Sequence, residues 1–183
     1  MNTDTFARSA LGKPIVRLLA AAMESRLRYR FFGPDRILRG VDHLHGRTVL
    51  EVGCGTGYFT IPAGRLIGDD GSLLAIDIVA EAVELVSGKV RAAGLQNVRV
   101  AQADALRTGL DDGGFDTVLL FGVIPAPMLP VDHLLREMHR LLKADGSLAV
   151  WPPVPGWLPR ALLRSGLFAL VGERSHVYNL RRR

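Results

Sequence analysis

A glycine-rich segment preceded by an acidic residue is the strongest chemical signal in the sequence. It follows a short apolar stretch and runs Glu51-Val52-Gly53-Cys54-Gly55-Thr56-Gly57. Glycines permit a tight turn and a close approach of the backbone to a ligand. A dinucleotide-binding G-x-G-x-x-G fingerprint would need glycine where Tyr58 stands. The acid and the early third glycine instead favour a ligand with a cationic amino acid group and no phosphate.

Two further carboxylates follow apolar stretches downstream. Asp77 lies 24 residues beyond Gly53, a spacing that predicts a position beside the glycine segment, where a carboxylate accepts from both ribose hydroxyls. The alternative for Asp77 is a helix N-cap. Asp104 and the backbone of Ala105 suit an adenine amino group and a ring nitrogen. The alternative for Asp104 is a loop residue that caps its own turn.

Strands and helices alternate along the chain, which predicts how these residues are positioned. Strands are expected at residues 48–52, 72–77, 98–103, 115–122 and 147–151, and helices at 58–67, 79–93 and 131–142, with a turn at 145–146. This order predicts a parallel sheet with helices on its faces. Ligands bind such sheets at the carboxyl ends of the strands, where the three acidic signals fall.

A linked set of segments carries a family resemblance: VLEVGCGTGYFT, LLAIDI, Asp104-Ala105, FDTVLLFGVI and EMHRLLKADGSLAV. Together they resemble class I S-adenosylmethionine (SAM) dependent methyltransferases, especially those of ubiquinone and menaquinone biosynthesis. Ala144-Asp145 stands where that family usually has Pro-Gly. The resemblance implies an α/β, Rossmann-like fold with a doubly wound, seven-stranded, mostly parallel sheet. Its antiparallel C-terminal hairpin would use residues 167–171 and 176–180.

The resemblance also implies SAM as the cofactor and a set of residues that bind it. The expected cofactor-binding residues are Glu51, Gly53, Cys54, Gly55, Thr56, Gly57, Asp77, Ile78, Asp104, Ala105 and Phe121. Methyl transfer from a sulfonium is a direct displacement in which the protein mainly aligns the reactants. The sequence therefore predicts no metal site and no covalent nucleophile, and it does not identify a catalytic residue.

The methyl acceptor has to be argued from weaker signals. The apolar, proline-stiffened segment that begins at Phe121 suits a pocket wall or plain packing. It lacks the Asp/Asn-Pro-Pro-aromatic motif of methyltransferases that act on base amines or glutamine amides. A single cysteine, Cys54, argues against an arsenic substrate. These features favour a small or lipid-like acceptor. The alternatives are a nucleic-acid methyltransferase, RNA included, and a SAM-binding protein without catalysis.

Charge divides the chain into three parts. Residues 1–47 and 151–183 each carry a net charge of +5, whereas residues 48–150 carry −5. Basic ends attract nucleic acid, anionic lipid or acidic substrates, or they are simply solvated. At 48% apolar and 22% charged residues, the composition is that of a globular protein and not of a disordered one.

The first 47 residues are predicted to form a helical lid over a SAM-binding domain at 48–183. An amphipathic helix is expected from Pro14 to about Tyr29, and Gly33-Pro34 ends it before a second short helix. Its apolar run, 15–23, is interrupted by Arg17 and is shorter than the ~20 residues that span a membrane. We therefore expect a cytoplasmic protein whose basic helix contacts the membrane surface.

Overall fold

A computed structural model of the protein describes residues 33–124, 129–152 and 160–183. Within these ranges the helices are α1 Pro34–Leu38, α2 Thr60–Ile67, α3 Ala80–Ala92, α4 Val131–Leu141 and α5 Arg160–Arg164. The strands are β1 Thr48–Val52, β2 Ser72–Asp77, β3 Val98–Gln102, β4 Phe115–Phe121, β5 Leu142–Trp151, β6 Phe168–Arg174 and β7 Val177–Arg182. The amphipathic helix expected before Gly33 lies outside the described residues.

All seven strands form one sheet in the order β3-β2-β1-β4-β5-β7-β6. Strands β1 to β5 pair in parallel, and β7 pairs antiparallel with both β5 and β6. The predicted fold class and the C-terminal hairpin are therefore confirmed. From β1 the chain adds β2 and β3 on one side of the sheet, and it then adds β4 and β5 on the other side, so the strand order switches between β1 and β4. That point is where open α/β sheets form their ligand crevice.

Apolar side chains bury both faces of the sheet. One cluster packs α1, α2 and α3 against one face, with Val49 and Leu119 at its centre. A second cluster packs α4 and α5 against the other face around Leu50 and Leu120. Adjacent residues of β1 and β4 thus point into opposite layers, as alternation along a strand requires. Burial on both faces explains the apolar stretches Val49–Leu50 in β1 and Val118–Phe121 in β4.

Strand β5 is longer than the sequence predicts. The expected turn at residues 145–146 lies inside it, because β5 continues from Leu142 to Trp151 with an irregularity opposite Phe115 and Thr117. Side chains of neighbouring elements hold this stretch beside the sheet. Lys143 Nζ donates to Asp116 Oδ1 at 2.8 Å, and Arg181 Nη1 donates to the Asp145 carbonyl oxygen at 3.0 Å.

The described part of the N-terminal segment packs into the sheet domain. Ile37, Leu38, Val41 and Leu44 are all buried in the first core cluster. Buried Asn179 on β7 fixes the segment further, since its Oδ1 accepts from the Asp42 backbone N–H and its Nδ2 donates to the Gly40 carbonyl oxygen. The proposed boundary at residue 47 stays a prediction, and a lid would have to come from residues 1–32. Among the described helices, none has the length and apolarity needed to cross a membrane.

Candidate active site

The glycine loop after β1 is attached to the end of β2 by backbone hydrogen bonds. The N–H groups of Gly53 and Cys54 both donate to the Ile76 carbonyl oxygen, at 2.8 and 3.0 Å. Gly53, Gly55 and Gly57 have φ angles of 74°, 53° and 80°. Side-chain-bearing residues rarely adopt these angles, so the glycines are required for the loop to turn back over β2.

Gly55 and Gly57 also differ in what surrounds them. A Cβ added at Gly57 would lie 3.2 Å from a methyl group of Val86 on α3. A Cβ added at Gly55 would meet nothing within 4 Å. Gly57 therefore lets α3 pack closely against the loop, whereas Gly55 leaves open space on the outer side of the loop.

Asp77, the last residue of β2, holds the loop in place. Its Oδ2 accepts from the Gly55 N–H at 2.8 Å, and its Oδ1 accepts from the Val79 N–H at 3.0 Å. The helix N-cap alternative is wrong, because Val79 is the N-cap of α3 and no side chain caps that helix. The carboxylate instead links the turn before α3 to the glycine loop, a contact that the sequence did not indicate. Each carboxylate oxygen keeps a second lone pair, so the ribose role predicted for Asp77 remains compatible with these bonds.

Glu51 lies beneath the loop with its carboxyl group buried. The residue is 2% exposed, and its Oε2 has no hydrogen-bond partner within the described ranges. Burial raises the pKa of Glu51 to about 8; the nearby Thr60 side chain lowers it and the negative charge of Asp77 raises it further. The carboxyl is consequently protonated at neutral pH when no cation lies near it.

The loop that follows β3 carries the third acidic signal. Asp77 and Gln102 are partners in the β2–β3 register, and Asp104 is two residues further along. Asp104 Oδ1 accepts from the Leu106 N–H at 2.8 Å, so this residue does cap its own turn. Gln102 Nε2 donates to the Ile78 carbonyl oxygen at 2.9 Å, which links the segments after β2 and β3. The adenine role of Asp104 and Ala105 stays a prediction.

Comparisons with known proteins agree with this geometry. The model of a methyltransferase-domain family matches residues 49–146, more than half of the chain. Demethylmenaquinone methyltransferase of Listeria welshimeri is 34% identical over 117 residues, covering 61% of this chain and 49% of that protein. The Staphylococcus aureus protein of that name is 33% identical over 116 residues, covering 62% and 46%. The chain thus spans about half the length of these curated relatives.

The chain belongs to the class I SAM-dependent methyltransferase family. A crystal structure of a SAM-dependent methyltransferase from Aquifex aeolicus superposes with a TM-score of 0.70 over 92% of this chain and 96% of that one, at 23% identity, which bears on the fold. SAM is the cofactor that this membership implies. The residues of the glycine loop suit SAM, because open space borders Gly55 and because Glu51, just before the loop, has an unpartnered carboxyl oxygen.

Cys54 and Thr56 of the glycine loop have different roles: the Cys54 side chain is buried, and the Thr56 backbone accepts a hydrogen bond from α3. Cys54 is buried, and its burial, followed by the negative charges of Glu51 and Asp77, raises the pKa of its thiol. A neutral buried thiol is a poor nucleophile, which agrees with the expectation of no covalent step. Thr56 contributes its carbonyl oxygen, which accepts from Lys89 Nζ at 2.8 Å. That contact ties α3 to the loop, and no sequence signal pointed to Lys89.

Aromatic side chains gather where β4 and β5 end beside the loop. Phe59 packs edge-to-face against Tyr58, Phe121 and Trp151, with ring centroids 4.9, 5.0 and 5.6 Å apart. Phe121 is 5% exposed and its ring packs against Phe59. Its expected role in cofactor binding stays a prediction. Trp151 was not among the expected site residues, although it ends a strand at the edge of the sheet where ligands bind.

Proposed function

We propose that the protein is an active methyltransferase that transfers the methyl group of SAM to a small, hydrophobic acceptor of the quinone type. The observation that carries the proposal is that the glycine loop, Asp77 and Glu51 lie together next to the point between β1 and β4 where the strand order switches. The acceptor class is supported by the relatives named as demethylmenaquinone methyltransferases. The aromatic cluster around Phe59 makes the core below the same edge apolar.

The chemistry places modest demands on the protein. SAM supplies an activated methyl group on a positively charged sulfur. A nucleophilic atom of the acceptor forms the new bond to carbon while the carbon–sulfur bond breaks, and its electron pair stays on sulfur. An acceptor ring carbon is nucleophilic in the reduced, hydroquinone form, and its proton then passes to solvent. Alignment of the two reactants can contribute ~7–11 kcal/mol toward the barrier.

A direct test uses the purified protein, SAM and a short-chain demethylmenaquinone reduced to its quinol. We expect a product that has gained the mass of one methylene group, together with the demethylated cofactor. Asp77→Ala should lose this activity, while Asp70→Ala, in an exposed turn, should retain it. Methylation of RNA but not of the quinol would favour the nucleic-acid alternative. SAM binding without transfer to either would favour a non-catalytic binding protein.

We further propose that residues 1–32 cover the acceptor side of the site. The support is the apolar helical pattern of Ile15, Leu18 and Leu19 and the general need to exclude water from such a site. Leu18→Asp combined with Leu19→Asp should preserve SAM affinity and reduce transfer. Arg17→Gln is the control on the same segment. Full-rate transfer by the double variant would show that the segment has no such role.

We also propose that the protein contacts a membrane surface, because a lipid-like acceptor would lie in the lipid bilayer. Residues 1–47 and 151–183 each carry a net charge of +5, which favours anionic lipid headgroups. Co-sedimentation with vesicles should therefore require anionic lipid and weaken as salt is added. Equal recovery with neutral and anionic vesicles, or none with either, would remove this part of the proposal.

A further inference from the structure

Glu51 lies in surroundings that a purely structural role does not explain. Its register partners on the neighbouring strands are Ala75 and Leu119, which are apolar and fully buried. Glu51 Oε2 and Thr60 Oγ1 are both buried, and neither makes a hydrogen bond of normal geometry with a described residue. The two side chains are nevertheless close enough for the Thr60 hydroxyl to favour the carboxylate. Leaving such atoms unpaired costs free energy. A buried pair of this kind, directly beneath a ligand-binding loop, indicates a group whose partner arrives with the ligand.

The charges around Glu51 come from three elements. Asp77 at the end of β2 disfavours a second negative charge nearby, and the Cys54 thiol on the loop is neutral. From α3, Lys89 approaches the loop but places its Nζ on the Thr56 carbonyl oxygen. From α2, the Thr60 hydroxyl favours the carboxylate. Burial is the largest influence, so the carboxyl retains its proton at neutral pH until a positive charge reaches it.

We propose that Glu51 makes cofactor binding proton-linked: its carboxyl releases a proton to solvent when the cationic cofactor binds at the loop, and the carboxylate so formed stabilises the bound cation. This inference rests on the proposed function, since it assumes that SAM binds there. The O–H bond breaks with its electron pair left on the carboxylate, and the buffer takes up the proton. No oxidant or other reactant is needed.

Two consequences follow from linkage. A group that loses a proton on binding makes affinity rise with pH below its ligand-free pKa, here about 8, by at most ~tenfold per pH unit. Above that value the rise should level off. The demethylated product keeps the ammonium group of SAM and lacks only the sulfonium charge, so comparing the proton release of the two ligands shows which positive charge acts on Glu51.

Calorimetry of SAM binding at pH 7 in phosphate and in Tris measures the proton directly. The two buffers have different ionisation enthalpies, so proton release makes the observed heats differ. We expect a release of roughly 0.5–1 proton per SAM for the wild type. Glu51→Gln should abolish this release and flatten the dependence of affinity on pH. Glu84→Gln removes the same kind of group from the exposed surface of α3 and should change neither quantity.

A second variant keeps the test decisive if Glu51→Gln does not fold. Thr60→Val removes the hydroxyl that lowers the Glu51 pKa, so the pH at which affinity levels off should move upward. Equal binding heats in both buffers, or an unmoved pH profile in Thr60→Val, would overturn the linkage alone. Absence of SAM binding at every pH would overturn the proposed function and the linkage with it.

Discussion

Two largely buried glutamates lie in contrasting regions of the molecule. Glu137 on α4 is held by Arg140, whose Nε and Nη2 donate to its two carboxylate oxygens at 2.9 and 2.7 Å. The N–H and the hydroxyl of Thr108 also donate to Glu137 Oε1. Glu51, beneath the glycine loop, has an unpartnered Oε2. The pKa of Glu137 is lowered to about 2, chiefly by Arg140, whereas burial raises that of Glu51 to about 8.

The contrast separates groups that stabilise the fold from groups that await a ligand. Arg140 also donates to the Leu110 carbonyl oxygen at 2.7 Å and to Asp112, so the Glu137–Arg140 pair fixes the loop between β3 and β4. Glu137 and Asp112 thus both have Arg140 as a partner of opposite sign. Under the glycine loop, by contrast, the unpartnered Glu51 carboxyl oxygen lowers the stability of the folded protein. A cost of this kind is expected where binding, not folding, supplies the missing partner.

The largest expected effect comes from filling the open space of the ligand region. Gly55→Val places a branched side chain where φ is +53° and where a Cβ meets nothing, so it should project toward the ligand. SAM affinity should fall more than ~100-fold, or ~2.7 kcal/mol, as measured by calorimetry. Gly94→Val is the matched control, since Gly94 has φ +68° and open surroundings at the end of α3. Equal loss of binding in both variants would attribute the effect to backbone strain.

Asp77→Ala should have the next largest effect. It removes the acceptor of the Gly55 and Val79 N–H bonds and the acceptor proposed for ribose. Hydrogen bonds to a charged group contribute ~1.5–3 kcal/mol each, so SAM affinity should fall by at least tenfold. Methylthioadenosine, which retains the ribose but has no amino acid part, should lose affinity in parallel. A folded variant with unchanged affinity would limit Asp77 to holding the backbone at Gly55 and Val79.

Glu137→Gln tests the stabilising member of the pair. Loss of the charged hydrogen bonds to Arg140 should cost ~1.5–3 kcal/mol at pH 7, a fall in Tm of about 2–4 °C per kcal/mol. Because the folded-state pKa is lowered to about 2, this contribution is present above the ordinary value of 4.5 and is lost as the pH falls toward 2. Thermal scans at several pH values should show the two proteins converging in acid. Asp132→Asn, exposed on α4, should show no such trend.

Glu51→Gln should shift stability in the opposite direction. The Glu51 pKa is raised in the folded protein, so its contribution is full below 4.5 and is lost as the pH rises through about 8. Without ligand, the variant should gain on the wild type by at most roughly 1.4 kcal/mol per pH unit across that window. Thermal scans with and without SAM provide the measurement. A variant that is less stable than the wild type at pH 8 would mean that Glu51 stabilises the fold.

The sequence predicted the strands well where burial alone decides them. The apolar stretches of β1 and β4 are buried on both faces, so the positions of these strands follow from composition and from the glycines after them. The extension of β5 through residues 143–146 was not predictable, because it depends on Asp116 and Arg181, which are distant in sequence. A local Asp-Gly signal favours a turn there, and tertiary contacts override it.

The candidate site divides in the same way. The glycines and Asp77 could be identified from spacing, since a βαβ unit brings the ends of consecutive strands together. The unpartnered state of Glu51 could not, because it depends on Thr60, Ala75 and Leu119 surrounding one carboxyl group. The link between Glu137 and Thr108 likewise joins α4 to a loop 29 residues earlier. Residue types predict which groups can act, and packing decides which of them are paired.

The smallest effect is expected at Cys54, which lies between Glu51 and Asp77 in the sequence. Cys54→Ala removes a thiol that burial, above all, keeps protonated, so no thiolate is lost at neutral pH. The variant should bind SAM and transfer methyl within about twofold of the wild type, at a cost of roughly 1 kcal/mol for the lost packing. Iodoacetamide should likewise leave the activity of the folded wild type intact, because the thiol is both neutral and buried. Loss of transfer with SAM affinity retained in Cys54→Ala would reveal a chemical role for the thiol. It would also show that pairing alone does not separate the acting groups from the stabilising ones.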